Sequence, residues 1–390
     1  MISFEEAYRI VMNEVMAMPF ERVQMMDALG RVLAEDILSD TDMPPFNKSA
    51  VDGFACRITD LADDLEIMET IPAGKTPEFR ITEGKCSRIM TGAMLPEGAE
   101  CVVMVEDTLI LENGRMHVSS KQGSHNICRQ GEDIRAGEKV MSPGTVIRPQ
   151  HIAVLAAAGV VNPTVSKKVR VGILSTGDEL VEPEHVPSGS KIRNTNAYQL
   201  AAQVSVAGAS AHYEGIVPDT EASLAAMLSL SLDRHDVVIL TGGVSMGDFD
   251  YVPKVMARLD IEILFNKIAI QPGKPTVFGR KGSQFIFGLP GNPVSSFVLF
   301  EVLVKPFLSR MMGNYQESEI MQLPMGASFK RKKSERKLLL PVRIENGLVY
   351  PVEYHGSAHI NAYTHAQGIL AIETGKSELQ KGEIADVRSL

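Results

Sequence analysis

Positive charge is in short supply in this 390-residue chain, where 39 Lys and Arg face 48 Asp and Glu for a formal charge of −9. That balance argues against a whole-molecule grip on nucleic acid or an anionic membrane, so an anionic ligand must be held by a local arrangement. Cysteine is equally sparse. Cys56, Cys86, Cys101 and Cys128 show no CxxC spacing, which argues against a zinc site or disulfide framework and predicts reduced thiols in a cytoplasmic protein. Long apolar runs are missing too. The longest, Ile152 to Val161, falls well short of the roughly 18 residues of a membrane span. Met1-Ile2-Ser3-Phe4-Glu5-Glu6 carries acids where a signal peptide has its basic region, so no targeting segment is expected. The nine histidines are scattered without an HExxH, and no GxSxG elbow or Walker A sequence occurs. Hydrolase and P-loop readings fail on those absences.

What is present suits a globular protein. Hydrophobic residues make up 44% and charged residues 22%, enough core to exclude a disordered chain. At roughly 150 residues per domain, the length predicts two to three domains. Ser3 and Glu6 form a capping-box pattern ahead of a stripe of Phe4, Ala7, Tyr8, Val11 and Val15, which predicts a helix. A second short helix is expected over Asp27 to Ala34. From about residue 40, short alternating runs broken by PAG, TEG, TGA, ENG and RQG predict a small β domain. Pro149 opens a helix that Gly159 stops. Between about 168 and 315 the pattern alternates. Strands are expected at 169–174, 212–217, 236–240 and 285–289, with helices at 196–206, 219–232, 251–259 and 293–311. Strands apolar on both faces between amphipathic helices predict a parallel three-layer α/β domain. After Gly313 short strands return, and a small C-terminal β domain is expected.

In such a sheet, ligands bind at the carboxyl ends of the strands. Three strands there run into Ser175-Thr176-Gly177-Asp178-Glu179, into Thr241-Gly242-Gly243-Val244-Ser245-Met246-Gly247-Asp248-Phe249-Asp250, and into Pro290-Gly291-Asn292-Pro293-Val294-Ser295. One such loop alone reads by default as a strand-to-helix turn. Three at one edge favour an oxyanion site, because glycine lets backbone N–H groups approach an anion at a helix N-terminus. Lys274, in a turn between Pro272 and Pro275, adds a cation, although a lone turn lysine is ordinarily just solvated. Asp219 is most economically a helix N-cap, and Asp250 fits the same role. Yet Glu179, Asp219 and Asp250 all stand at strand-to-helix corners, where carboxylates beside phosphate-binding loops suit Mg²⁺. In the β region, Asp52-Gly53, Thr91-Gly92 and Arg129-Gln130-Gly131-Glu132-Asp133 read as turns. The basic run Lys330, Arg331, Lys332, Lys333, Arg336 and Lys337 is either a solvated surface or the positive field lacking elsewhere.

The segments PPFNKSAVDGFA, IMTGAMLPEGAECVVMVED, RQGEDIRAGEKV, ILSTGDEL, ILTGGVSMGDFDYV, QPGKPTVFG and FGLPGNPVSSFVLFE follow one another in this order. Together with LLLPVR and HGSAHINAYTHAQGIL, they resemble the molybdopterin molybdotransferase family, called MoeA in bacteria and related to the C-terminal domain of gephyrin. The resemblance spans essentially the whole chain. It implies a homodimer of four-domain subunits: a discontinuous N-terminal domain (1–40 plus 138–168), an inserted β domain (41–137), an α/β molybdopterin-binding domain with a mostly parallel sheet (169–314) and a small C-terminal β-barrel (315–390). It implies transfer of molybdenum from molybdate to adenylylated molybdopterin, with release of AMP and use of Mg²⁺.

On that resemblance, the catalytic positions are Asp52, Thr91, Asp133, Glu179, Asp219 and Lys274. The substrate is held by Arg129, Thr241, Gly242, Gly243, Ser245, Gly247, Pro290, Gly291, Asn292, Pro293, Ser295, Arg336 and Ser357. Asp219, Asp250 and Glu179 are the metal ligands. The implied partners are small molecules, a second copy of the chain and other proteins of molybdenum cofactor biosynthesis. Gln271 departs from the pattern, since many relatives carry a basic residue there. Asn47-Lys48, Phe54 and Asn194 also stand where Asp-Asn, Tyr and an acid are more usual. Two alternatives share the fold: adenylylation of molybdopterin, whose enzymes resemble a lone α/β domain with a GGTG-type loop, and a gephyrin-like dimeric scaffold. The GGVSMGDFD loop and the accompanying regions favour metal transfer.

Overall fold

The strands Arg170–Thr176, Val237–Thr241 and Gln284–Leu289 are buried on both sides, and two separate cores explain why. Val171, Ile173, Val237, Ile239 and Phe287 pack with the Asn196–Val206 helix and the helical segment from Pro293 to Met311. Their alternates Leu174, Val238, Leu240 and Ile286 pack with the Glu221–Arg234 and Val252–Arg258 helices. Side chains alternate across a strand, so a sheet covered on both faces needs apolar residues at every position. The computed structural model describes residues 1–119, 125–243, 251–316, 319–356 and 358–390.

The six strands lie in the order Ser210–Val217, Arg170–Thr176, Val237–Thr241, Gln284–Leu289, Val277–Lys281 and Glu262–Phe265. The first four are parallel. The last two run antiparallel, closing one edge with strands the periodicity did not announce. The sheet is therefore mixed. Phe278, on one of these added strands, is fully buried and surrounded by Phe265, Phe285, Phe287 and Phe307 at ring distances of 5.7, 6.2, 4.7 and 5.9 Å.

At the N-terminus, the Phe4–Asn13 helix is capped as expected, with the Glu6 N–H donating to Ser3 Oγ at 3.1 Å. The helix expected over Asp27 to Ala34 does not form. Only a 3₁₀ turn, Met25–Ala28, is present; Gly30 then takes φ +76° and the following residues extend, with Val32 bridging Val146 and Leu33 bridging Val165. Tertiary pairing outcompetes the local helical pattern, because a left-handed residue ends the turn. Phe20–Arg22 pairs with Thr164–Ser166, and Ile37–Leu38 with Lys139–Met141. Segments on either side of residues 41–137 thus bond to each other. Within that interval, Glu66–Ile71, Lys85–Ile89, Gly53–Cys56 and Cys101–Met104 form a four-stranded sheet in this order.

The helix expected from 293 to 311 is broken into Pro293–Leu299, a π segment Phe300–Val304, and Lys305–Met311. Pro306 has no N–H for the Val302 carbonyl, and the wider turn absorbs that loss. In the C-terminal region, strand Lys337–Glu345 pairs with Gly368–Ile372, and on its other side with Ile270–Gln271 from the α/β region. No described helix is long and apolar enough to cross a membrane.

Truncating Phe278 to Ala empties the centre of an aromatic cluster. Urea denaturation is expected to show a loss of about 3–5 kcal/mol.

Candidate functional site

The parallel strand order brings three loops together. Thr241 lies opposite Ser175 on one side and Leu289 on the other, so the strand ends are level. Gly242 takes φ +91°, and a Cβ there would fall 2.4 Å from the Thr176 carbonyl oxygen. Its N–H donates to Leu289 O at 3.2 Å. A Cβ on Gly291 would lie 3.7 Å from the Gly242 Cα, so the third loop touches the second. Gly291 is further tied by Asn196, whose Nδ2 donates to its carbonyl at 2.8 Å.

Beneath the loops runs a buried polar chain. Thr241 Oγ1 donates to Ser175 Oγ at 3.2 Å, Ser175 to Asn194 Oδ1 at 3.1 Å, and Asn194 Nδ2 to the Tyr213 oxygen at 2.8 Å. Tyr213 donates to Glu182 at 2.7 Å, and burial raises its phenol pKa. The Thr241 hydroxyl is thus turned inward. Pro290 is buried and Pro293 partly so, Gly291 and Asn292 are exposed, and Ser295 is buried with its N–H on Asn292 O at 3.0 Å. Gly243 stays partly exposed beside them.

Asp219 does not cap its helix. Thr220 does, accepting from the Ser223 N–H at 3.2 Å. Asp219 instead accepts a hydrogen bond from Thr176 Oγ1 and donates its N–H to Asp178 Oδ1 at 3.2 Å. The Glu179 carboxylate lies over the Gly177 backbone next door. Asp219 and Asp178 therefore meet at one corner of the cleft, with Glu179 next to Asp178 in the chain. Ser245, Gly247, Asp250 and Ser357 lie outside the described residues, and among the described residues no group of three His, Cys, Asp or Glu is arranged to hold a metal.

Lys274 is exposed, in a turn packed against the helix that follows the third loop. A Cβ on Gly273 would come within 2.7 Å of Leu299 Cδ1. Among the described residues no carboxylate pairs with Lys274. Arg336 arrives from the C-terminal region and donates Nη1 to Ile270 O at 3.4 Å, because Ile270 pairs with Lys337. The basic run is not the open positive surface the sequence allowed. Arg331 spends its guanidinium on the carbonyls of Lys376, Arg336 and Glu373 at 2.6–2.7 Å. Lys337 is bound to Glu373 at 2.8 Å and Glu5 at 3.0 Å; burial opposes its charge, but these bonds outweigh it and raise its pKa. Lys332 and Lys333 remain exposed.

A second group forms on the 41–137 region. The Thr91 N–H and hydroxyl both donate to Asp52 Oδ1 at 2.7 Å, and these bonds hold the Asp52 pKa below the ordinary carboxylate value. Arg129 and Asp133 are exposed on a turn whose preceding strand, Ile127–Cys128, pairs with Lys48–Ser49. No hydrogen bond or ion pair among the described residues joins this group to the strand-end loops. Sequence reasoning passed over Thr176 and Asn196, the residues that hold Asp219 and Gly291. Their signal was position alone: one closes a strand, the other opens a helix.

Three family models match consecutive stretches of the chain: the MoeA N-terminal region (domain I and II) over residues 2–159, the "Probable molybdopterin binding domain" over 172–310, and the MoeA C-terminal region (domain IV) over 322–390. The chain belongs to the MoeA family. A molybdopterin molybdenumtransferase of Staphylococcus epidermidis is 34% identical over 99% of this chain and 95% of its own length. One of Staphylococcus aureus is 32% identical with the same coverage. The crystal structure of a molybdopterin biosynthesis MoeA protein from Pyrococcus horikoshii OT3 superposes with a TM-score of 0.86 at 28% identity, covering all of both chains. As a MoeA protein, this chain serves molybdenum insertion in molybdenum cofactor biosynthesis.

Two outcomes follow from the geometry. Gly242→Ala forces a Cβ into the Thr176 carbonyl, and denaturation is expected to show a loss of roughly 2 kcal/mol or more. Thr91→Val removes one of the two bonds to Asp52. Because the folded pKa is depressed, their stabilisation is present above the unfolded pKa and is lost as pH falls through the folded value. An NMR titration is expected to place Asp52 higher in the variant than in the parent.

Proposed function

We propose that this MoeA-family chain transfers molybdenum from molybdate to the dithiolene of adenylylated molybdopterin and releases AMP. The observation that supports this is the meeting of three strand-end loops, with Lys274 on a turn packed against the helix after the third and without a carboxylate partner among the described residues, in a chain with no general excess of positive charge. Backbone N–H groups at such loops suit a pyrophosphate, since they bind anions without formal charge. The second and third loops, through Gly242, Gly243, Ser245, Gly247 and Pro290 to Ser295, would hold the pterin and phosphate part. Lys274 and Ser295, with Arg336 and Ser357, would receive molybdate.

The residues present fit Mg²⁺. Asp219, and Glu179 next to Asp178 in the chain, offer hard carboxylate oxygens, and this ion commonly takes only one or two carboxylates beside substrate phosphates. Asp250 would be the further ligand. When bound, the ion supplies positive charge to the pyrophosphate oxygens. Thr176 orients Asp219 through its hydroxyl, and Asn196 holds the third loop through Gly291 O. No side-chain nucleophile is needed, because holding the reactants in register lowers the barrier.

Asp52, Thr91, Arg129 and Asp133 would act on the cleft of a partner subunit in a homodimer, which accounts for their separation from the loops of their own chain. We infer the division into a discontinuous first domain, an inserted β domain (41–137), the α/β domain and a C-terminal barrel. A cytoplasmic site, with transfer of product to other proteins of the same biosynthesis, completes this reading.

The decisive experiment mixes purified protein with adenylylated molybdopterin, Mg²⁺ and molybdate, and follows AMP. Molybdate-dependent AMP release is expected; its absence overturns the proposal. Lys274→Ala is expected to raise the KM for molybdate by about tenfold or more, the cost of one charged contact. Gln271→Arg, which supplies the cation this chain lacks, is expected to lower it.

A further inference from the structure

A second concavity, of about 510 Å³, shares no lining residue with the strand-end loops. It lies between the Phe4–Asn13 helix, the Lys305–Met311 helix and the C-terminal sheet, with Phe4, Tyr8, Pro306 and Leu339 as its apolar wall. Arg388 reaches it from the Ile384–Ser389 strand. The Arg388 Nη1 is buried without a hydrogen-bond partner, and no ion pair holds this guanidinium among the described residues.

Such a group is costly. A charge removed from water needs a counter-charge and hydrogen bonds, and an unpaired one is destabilising. Burial lowers the Arg388 pKa, and only Tyr8 and Glu301 lie near enough to offset it. Glu301 is already engaged by Lys305 Nζ at 2.7 Å and Gln203 Nε2 at 2.8 Å. Asp386, on the same strand, makes only a 3.5 Å contact with Gln322 and no ion pair with Arg388. Lys337, at another side of the cleft, is neutralised by Glu5 and Glu373. Arg310 also lines the cleft and has no partner among the described residues. Among the described residues neither guanidinium has a counter-ion, and both line one cleft with an apolar wall, whose other acids are Glu5, held by Lys337, and Asp386.

We propose that this cleft binds a small organic anion, its carboxylate or phosphate head taken by Arg388 and Arg310 and its apolar body lying on Phe4, Tyr8, Pro306 and Leu339. Guanidinium pairs oxyanions with two parallel hydrogen bonds, so the head would satisfy the orphan donor. The site is separate from the one that handles molybdopterin, and its occupancy does not depend on the reaction proposed above.

Isothermal titration of the full chain with 4-phenylbutyrate, inorganic phosphate and phenethylamine tests this. Phenylbutyrate is expected to bind at least about tenfold more tightly than phosphate, and the amine not at all. Arg388→Leu is expected to weaken phenylbutyrate at least about tenfold while raising the thermal midpoint of the free protein, since it removes an unpaired buried charge. Arg310→Leu is expected to weaken the same ligand with AMP release unchanged. The inference is overturned if phenylbutyrate does not bind at about 10 mM, if phosphate or the amine binds equally well, or if either variant binds like the parent. A lowered midpoint for Arg388→Leu would likewise overturn it, because the guanidinium would then be a structural group.

Discussion

At the carboxyl edge of the central sheet, two backbones approach more closely than a side chain permits, and a third packs against them. Gly242 sits where any Cβ would collide with the Thr176 carbonyl, and Gly291 packs on Gly242 in turn. That contact makes one crevice out of three turns. It requires adjacent parallel strands with level ends, which the register of Ser175, Thr241 and Leu289 provides. The register in turn requires a sheet buried on both faces, where slipping one strand by a residue would exchange the contents of two cores. The cleft thus inherits its precision from packing well away from any ligand.

The same economy governs charge. With a formal −9, the chain has few cations to spare, and the structure commits several of them to its own folding. Arg331 ties three carbonyls and Lys337 bridges two glutamates. Among the described residues Lys274 is left without a carboxylate, and Arg336 is carried to the Ile270 carbonyl because the C-terminal strand adds to Ile270–Gln271. A two-residue parallel pairing therefore connects the α/β region to the C-terminal region. Arg388 and Arg310, in a different cleft, likewise have no ion-pair partner among the described residues.

Much of the fold was legible in the chain. The Asn196–Val206 helix and the strands ending at Thr176, Thr241 and Leu289 follow from periodicity, glycine stops and apolar runs. The departures share one cause. Asp27 to Ala34 has a helical pattern, but Val32 and Leu33 find strand partners more than a hundred residues away. The strands Glu262–Phe265 and Val277–Lys281 are short, and only a neighbouring edge stabilises them. Asp219 has the chemistry of an N-cap, yet Thr220 is in place to do that work and Thr176 engages the aspartate.

The residue order alone settled the chemistry on offer: which turns carry glycine, which carry carboxylates, where lysine stands between prolines, and that seven short motifs occur in one family's order. Those are local properties, carried by neighbours in the chain. Which carboxylate is oriented, which cation is neutralised and which guanidinium is left unpaired were decided only in three dimensions. A hydrogen bond or ion pair depends on groups within a few ångströms, and for Asp219, Arg336 and Arg388 those groups come from distant parts of the chain. Formal charge is a sum over residues; the field that a ligand meets is a matter of which of them have found partners.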